Sequence, residues 1–135
     1  MSHTANNRPL RLCNPLCIRH SANRWQGMAD EQDDPHFVRF RSMEWGWRAA
    51  FRILRTYRQR YHIYTIADII RRWAPPSEND TTRYIRNVCG WMNHAGHQSL
   101  EPAEWPLLLQ AMARQETGRT FPLEEIEKGL KINET

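Results

Sequence analysis

Residues 42–61 read SMEWGWRAAFRILRTYRQRY, and this stretch decides the fold. Apolar side chains recur three or four positions apart along it, which is the spacing of one face of an α-helix. These side chains are Trp47, Ala50, Phe51, Leu54 and Tyr61. Arg48, Arg52 and Arg55 form the opposite stripe, and Ser42 is of a type that caps helix N-termini. The stretch therefore predicts a long amphipathic helix that packs on a core.

Four further helices are predicted downstream of this stretch. They begin near Thr65, after the cap-forming run 77–81, at Pro102 and after Pro122. Each carries apolar residues at helical spacing, and Gly118 is a typical helix terminator for the fourth. We therefore expect a mainly α-helical fold of about five helices, in a single domain that spans residues 1–135.

The segment before residue 36 has few periodic signals and several chain breakers, among them Pro9, Pro15 and Pro35. We expect it to be rich in loops, with residues 1–12 flexible. Two short apolar pieces, 16–18 and 37–40, are predicted to pair as a short β-hairpin.

Composition and hydropathy argue against a disulfide framework, a secretory signal peptide and a membrane span. The chain has 135 residues, a net charge of +4 and three cysteines, an odd number that cannot form a complete disulfide framework. The polar N-terminus is not followed by an apolar run, so we expect no secretory signal peptide. No stretch approaches the ~18 continuous apolar residues that a membrane span needs.

Residue types alone suggest two kinds of binding site, one for nucleic acid and one for zinc. An arginine-rich face with Arg48, Arg52, Arg55, Arg71 and Arg72 suits nucleic acid, although such a face is usually just solvated, and nucleic acid is the less favoured partner. Cys13, Cys17, His20 and His36 suggest zinc, but their spacing is nonstandard for a zinc site, and buried thiols are the alternative that we prefer. We expect neither a metal nor a cofactor.

Glu116 is the most informative polar residue of the chain. It lies four residues after Met112 and extends an apolar helical stripe just before Gly118. A carboxyl group on such a stripe is desolvated, and desolvation raises its pKa, as a general acid at neutral pH requires. The alternative is an ordinary last-turn glutamate that points into solvent.

The run Ala113-Arg114-Gln115-Glu116-Thr117-Gly118 resembles the end of the catalytic helix in lysozyme-like murein hydrolases and lytic transglycosylases. In those families an alanine-rich helix ends in glutamate, a small residue and glycine. The resemblance implies that Glu116 protonates the glycosidic oxygen as the bond between two sugars breaks.

A longer resemblance covers about residues 13–85. It consists of Asn14-Pro15-Leu16-Cys17-Ile18-Arg19, Trp25-Gln26-Gly27 and Phe37-Val38-Arg39-Phe40, and it continues to the run 72–81. The pattern is similar to a segment of phage lysozyme-like proteins and flagellar-type glucosaminidases. Many such phage proteins are known only as structural proteins, so a non-catalytic role in a virion or in cell-wall binding stays open.

Two departures from that pattern matter. Cys17 stands where the pattern usually has asparagine. The glutamate helix also comes last here, whereas it precedes the Asn-Pro segment in ordinary members of the superfamily. Our hypothesis is a circularly permuted arrangement, in which Glu116 returns in space to a cleft lined by Asn14 and Arg19.

The resemblance implies an enzyme that cleaves peptidoglycan glycan strands, as a muramidase, glucosaminidase or lytic transglycosylase. Glu116 is the predicted acid and Glu44 the competing one, although a first-turn glutamate stabilised by the helix dipole is the plainer interpretation of Glu44. The predicted substrate-binding residues are Asn14, Arg19, Trp25, Asn79 and Tyr84. Partners would be peptidoglycan and virion or secretion-apparatus proteins. We expect synthesis in the bacterial cytoplasm and action at the cell wall, in the periplasm or within a phage virion.

Overall fold

A computed structural model describes residues 7–132. Its helices are α1 (Arg8–Arg11), α2 (Met43–Tyr61), α3 (Ile66–Trp73), α4 (Thr81–Met92), α5 (Trp105–Thr117) and α6 (Leu123–Ile132), and a 3-10 turn at Pro102–Glu104 precedes α5. The mainly α-helical prediction is confirmed, and α2 to α6 correspond to the five helices expected from the sequence. In the described part of the chain, no helix combines the length and apolar character needed to cross a membrane.

Helix α2 runs through the core. Trp47, Phe51 and Leu54 are buried on its predicted apolar face. Trp47 meets Phe121 edge to face, with ring centroids 5.2 Å apart. Helix α6 crosses α2 so closely that a Cβ atom at Gly129 would lie 2.7 Å from the Arg48 backbone nitrogen. Backbone contact at this crossing therefore requires a residue without a side chain.

Helices α3, α4 and α5 begin and end where local chemistry predicts. The Thr65 hydroxyl accepts a hydrogen bond from the Asp68 amide at 3.1 Å, and the Asp80 carboxylate caps α4 in the same way. Gly118 ends α5 in the left-handed conformation at φ 81°. Ser42 precedes α2 but makes no side-chain capping bond, so that detail of the prediction is wrong.

The N-terminal segment is folded from residue 7, which corrects the expectation that residues 1–12 are flexible; residues 1–6 lie outside the described chain. Arg8 forms two 2.7 Å hydrogen bonds with the Asp34 carboxylate, and Leu12 is completely buried. The Arg8 guanidinium and nearby backbone amides hold the pKa of Asp34 well below its usual range. Long-range contacts therefore fix a segment whose local pattern looked irregular.

The predicted β-hairpin is present only as isolated contacts. Arg19 pairs with Phe37 and Met28 with Phe40, each through one antiparallel bridge, and no strand is formed within residues 7–132. The Val38 amide donates to the Ile18 carbonyl at 3.0 Å. The two apolar pieces thus meet as predicted but do not extend into a regular ladder.

Candidate active site

Glu116 lies in the last turn of α5, where that helix approaches the N-terminal segment. The side-chain amide of Asn7 donates a 2.8 Å hydrogen bond to the Thr117 carbonyl. The Thr117 hydroxyl donates to the Ala113 carbonyl at 2.8 Å, which holds the final turn together. The turn is therefore fixed from both sides, and Glu116 is not a frayed terminal residue in solvent.

Three side chains from distant parts of the sequence surround the Glu116 carboxyl group. The Tyr84 hydroxyl donates a 2.9 Å hydrogen bond to it. The Cys17 thiol and the charge of Arg19 also act on it. Burial raises the pKa of Glu116 above its ordinary value, and this effect outweighs the three neighbours, which lower it. Glu116 is half-buried, which agrees with the partial desolvation expected from its position on the apolar stripe.

Tyr84 and Cys17 remain neutral donors. Burial and the nearby Glu116 carboxylate raise the pKa of Tyr84 well above its usual value, and the same two causes strongly raise that of the Cys17 thiol. Neither group therefore gives up its proton near neutral pH. Both can donate a hydrogen bond to an ionised Glu116, which stabilises the carboxylate left after a proton is transferred.

Two open cavities lie near this group: Glu116 lines the first, and Cys17 lines the second. The first has a volume of about 310 Å³ and lies between α4 and α5; it is lined by Asn79, Asp80, Arg83, Tyr84, Asn87, Gln115 and Glu116. The second has a volume of about 360 Å³, and Cys17, Arg19, Trp25, Tyr57, Arg72 and Trp73 are among its lining residues. The carboxyl group therefore lies at the wall of the first cavity, and Cys17, which acts on it, belongs to the wall of the second.

Asn14 is not available to a ligand, which corrects its assignment as a substrate-binding residue. Its side chain is fully buried. The amide donates to the Ile18 and Val38 carbonyls at 2.9 and 2.8 Å, and its oxygen accepts from the Ile18 amide at 2.9 Å. Asn14 therefore holds the N-terminal loops together behind the Cys17–Glu116 contact.

The other predicted contact residues are distributed over the two cavities. Arg19 is exposed and Trp25 half-buried in the second cavity, while exposed Asn79 lines the first. Tyr84 also lines the first cavity, but it is almost completely buried. It therefore offers its hydroxyl to Glu116, and its ring is not exposed to a ligand.

The competing acid, Glu44, lies apart from these cavities. It sits in the first turn of α2 and lines neither of the two cavities that flank Glu116. Its position matches the plainer interpretation, a glutamate at a helix N-terminus. Glu78, expected as a cap, instead faces Arg19 at 3.6 Å, while Asp80 does cap α4.

The cysteine and histidine residues do not converge on a metal site. Within residues 7–132, no group of three or more suitable ligands is close enough to hold a metal ion. A nitrogen of the His20 ring is 2.8 Å from the Asp34 carbonyl oxygen. Cys13 and Cys17 are free thiols, and burial raises the pKa of both.

Three arginines of the face proposed for nucleic acid are buried or already have a partner. Arg48 is buried beneath α6, with 8% of its surface exposed. Arg71 pairs with Asp68 at 3.2 Å. The Arg72 guanidinium lies 4.0 Å from the centroid of the Tyr61 ring.

Sequence reasoning missed several residues of the site. Asn87 and Gln115 join α4 to α5 through a 2.9 Å hydrogen bond between their amides, beside Tyr84 and Glu116. A signal was available, because Asn87 is one helical turn after Tyr84 and Gln115 directly precedes Glu116. Tyr57 lacked such a signal, since the second cavity forms only when α2, α3 and the N-terminal loops meet.

The helices and this site define a small, mainly α-helical protein with a half-buried carboxyl group at the wall of an open cavity. The chain is 38% identical over 128 residues to Protein P5 of Pseudoalteromonas phage PM2, an alignment that covers 92% of this chain and 80% of that protein. The chain belongs to the family of this bacteriophage protein. No family model matches the sequence.

Proposed function

We propose that this protein cleaves the glycan strands of bacterial peptidoglycan, with Glu116 as a single general acid. The observation that carries the proposal is the environment of the Glu116 carboxyl group. It is half-buried, burial raises its pKa, and it lines an open cavity beside Cys17, which lines a second one. A carboxyl group with a raised pKa in a cleft is suited to the general-acid step of glycosidic bond cleavage.

The chemistry follows from these contacts. Glu116 donates its proton to the glycosidic oxygen while the bond between that oxygen and the sugar carbon breaks. Tyr84 and Cys17 then donate hydrogen bonds to the resulting carboxylate. In a muramidase or glucosaminidase, water adds to the sugar carbon and its proton returns to Glu116. In a lytic transglycosylase, a hydroxyl of the same sugar adds and returns the proton.

The proposed fold is a circularly permuted, lysozyme-like arrangement. Its support is the meeting of the N-terminal segment with the last turn of α5, where Cys17 and Arg19 act on Glu116 although α5 comes late in the sequence. The bond from Asn7 to the Thr117 carbonyl ties the same two regions together. The resemblance of residues 13–85 to phage lysozyme-like proteins supports the same arrangement.

A mechanism with one catalytic glutamate fits the residues near Glu116 better than a mechanism with two carboxylates. Glu44 lines neither cavity. Asp80 lines the first cavity, but its carboxylate already accepts the Arg83 amide as the cap of α4. Glu116 therefore acts without a dedicated partner carboxylate in this proposal.

The test is the loss of turbidity of purified bacterial sacculi, with wild-type protein compared with Glu116→Gln. The variant keeps the size and hydrogen-bonding capacity of the side chain but has no proton to donate. Removal of a general acid costs about 10²- to 10⁴-fold in rate. Glu127→Gln, an identical change at an exposed position of α6, is the matched control.

Clearing by wild type and Glu127→Gln but not by Glu116→Gln supports the proposal. Equal clearing by Glu116→Gln would contradict the assignment of the acid. Failure of the folded wild type to clear sacculi would overturn the enzymatic proposal.

The second candidate is a non-catalytic role as a virion component or cell-wall-binding protein. Membership of a bacteriophage protein family favours it. Binding of wild type and Glu116→Gln to sacculi without clearing would select this candidate. In either role the site of action is a phage virion or the bacterial cell wall, with peptidoglycan or other virion proteins as partners.

A further inference from the structure

The second cavity differs from the first in its charge. Arg19 and Arg72 both line it, and no carboxylate is among its lining residues in the described chain. The first cavity contains one arginine, one aspartate and Glu116, so it carries no excess of positive charge. The second cavity therefore favours an anionic group, whereas the first favours a neutral polar one.

Arg72 is held in place by aromatic rings. Its guanidinium lies 4.0 Å from the Tyr61 ring centroid and 5.4 Å from that of Tyr57. Stacking on rings positions a guanidinium and leaves its N–H groups able to bind a carboxylate in a bidentate manner. The ring contacts thus orient a cation at the cavity without neutralising it.

Arg19 completes the cationic lining. It lies 5.3 Å from the Phe37 ring centroid and 3.6 Å from the Glu78 carboxylate. About half of each side chain in that ion pair is exposed to solvent. An exposed pair contributes little, so a ligand carboxylate can compete for Arg19.

Aromatic side chains provide the rest of the cavity. Trp25, Tyr57 and Trp73 line it. The Trp73 indole donates a 3.0 Å hydrogen bond to the Leu16 carbonyl, which fixes its ring. Burial raises the pKa of Tyr57 to about 12, so its hydroxyl stays neutral. Large rings with a polar edge suit a ligand that has both apolar faces and hydroxyl groups, as a sugar does.

We propose that this cavity is the subsite for the acid-bearing sugar of the glycan, a unit whose substituent carries a carboxylate that Arg72 and Arg19 bind. The first cavity takes the neutral N-acetylated sugar, beside the amides of Asn87 and Gln115. This inference rests on the proposed function, and it adds that Arg72 and Arg19 determine the register of the strand across Glu116.

The experiment measures binding, by calorimetry, of two tetrasaccharides of equal length to the full chain carrying Glu116→Gln, which leaves the ligand uncut. One is made of N-acetylglucosamine alone, and the other alternates it with N-acetylmuramic acid that carries a free lactyl carboxylate. We expect the acidic ligand to bind about tenfold or more tightly at low salt, and added salt to reduce the difference. Adding Arg72→Gln or Arg19→Gln should remove the preference for the acidic ligand. Arg71 is a neighbouring exposed arginine outside this cavity, so Arg71→Gln should retain the preference.

Equal affinity for the two ligands, or a preference that survives both Arg72→Gln and Arg19→Gln, would overturn the subsite assignment. Intact sacculi and peptide-free glycan strands, tested in parallel, distinguish carboxylates of the stem peptide from that of the lactyl group. Clearing of sacculi by the wild type without an acidic preference would retain the proposed function and reject the subsite. An acidic preference without clearing would retain the subsite and reject the enzyme.

Discussion

Tyr84 and Glu116 are joined by a 2.9 Å hydrogen bond between α4 and α5, although they are 32 positions apart in the sequence. The bond opposes the effect of burial, because a donor to a carboxylate favours its ionised form and lowers its pKa. The proton affinity of Glu116 is therefore set by packing against α4 as well as by its own helix.

Tyr84→Phe should raise the pKa of Glu116 further, because the ring still excludes water while the donor is lost. We expect the Glu116 carboxyl, observed by carbon-13 NMR, to titrate at higher pH than in the wild type. If the protein is the proposed enzyme, the alkaline limb of its activity should move in the same direction. The free energy of unfolding should fall by about 1 kcal/mol.

Tyr64→Phe is the matched control for this change. The Tyr64 hydroxyl lies 3.1 Å from a ring nitrogen of His62, at an exposed site that lines neither cavity. It should leave the titration of Glu116 unchanged. An unchanged titration in Tyr84→Phe as well would show that the hydrogen bond does not act on the carboxyl group.

Ionisation of Glu116 should oppose folding. Its pKa in the folded chain is raised above the ordinary value of 4.5, so its stabilising contribution is complete below that pH and is lost as pH rises through the folded pKa. Glu116→Gln has no such loss. Urea denaturation between about pH 4 and pH 8 should therefore show the variant gaining stability relative to the wild type as pH rises.

The loss of stability at low pH has a different cause, and it does not affect the comparison of the wild type with Glu116→Gln. The pKa of Asp34 is lowered by Arg8, so its contribution is lost as pH falls, and it is the same in both proteins. A stability difference between wild type and Glu116→Gln that is constant with pH would contradict the raised pKa of Glu116.

Asn14→Leu should strongly destabilise the fold. The change removes three buried hydrogen bonds and leaves two groups, the Ile18 amide and the Val38 carbonyl, without this partner, while the Ile18 carbonyl still accepts the Val38 amide. At about 1–3 kcal/mol for each unsatisfied buried group, the loss should be about 3 kcal/mol or more, measured by chemical denaturation.

Asn79→Ala provides the comparison, because Asn79 is exposed and makes one 3.2 Å bond to the Pro75 carbonyl. Its cost should stay within about 0.5 kcal/mol. A similarly small cost for Asn14→Leu would show that the Asn14 amide is not needed to hold the N-terminal loops.

The five longer helices could be predicted because their signals are local. Spacing of apolar residues, the Thr65 and Asp80 caps and the Gly118 terminator each act within a few positions of the helix they define. Helix α1 has only four residues and depends on bonds that cross the fold, from Arg8 to Asp34 and from Asn7 to Thr117. No local pattern contains those partners.

The residues of the site also divide into those with a local signal in the sequence and those whose role depends on distant contacts. The apolar stripe around Glu116 lies on its own helix, so its desolvation could be predicted from the sequence. An Asn-Pro pair does not reveal which way the amide turns, and the structure turns the Asn14 side chain inward. Arg72 resembled its neighbour Arg71 in the sequence, but only Arg72 lines the cavity shared with Trp25.

Gly129 tests the crossing of α6 over α2, which carries the C-terminal end of the chain back onto the core. In Gly129→Ala, the new Cβ would lie 2.7 Å from the Trp47 Cβ and 2.8 Å from the Trp47 carbonyl carbon, so the helices must separate. Overpacking of this kind costs about 1–3 kcal/mol.

Gly90→Ala, in α4, is the opposite case, because nothing lies within 4 Å of its new Cβ. There alanine should stabilise the helix by about 0.5–1 kcal/mol, since it restricts the unfolded chain more than glycine does. Thermal and urea denaturation of the two variants should therefore shift in opposite directions; a stabilising Gly129→Ala would mean that α6 does not press against the α2 backbone.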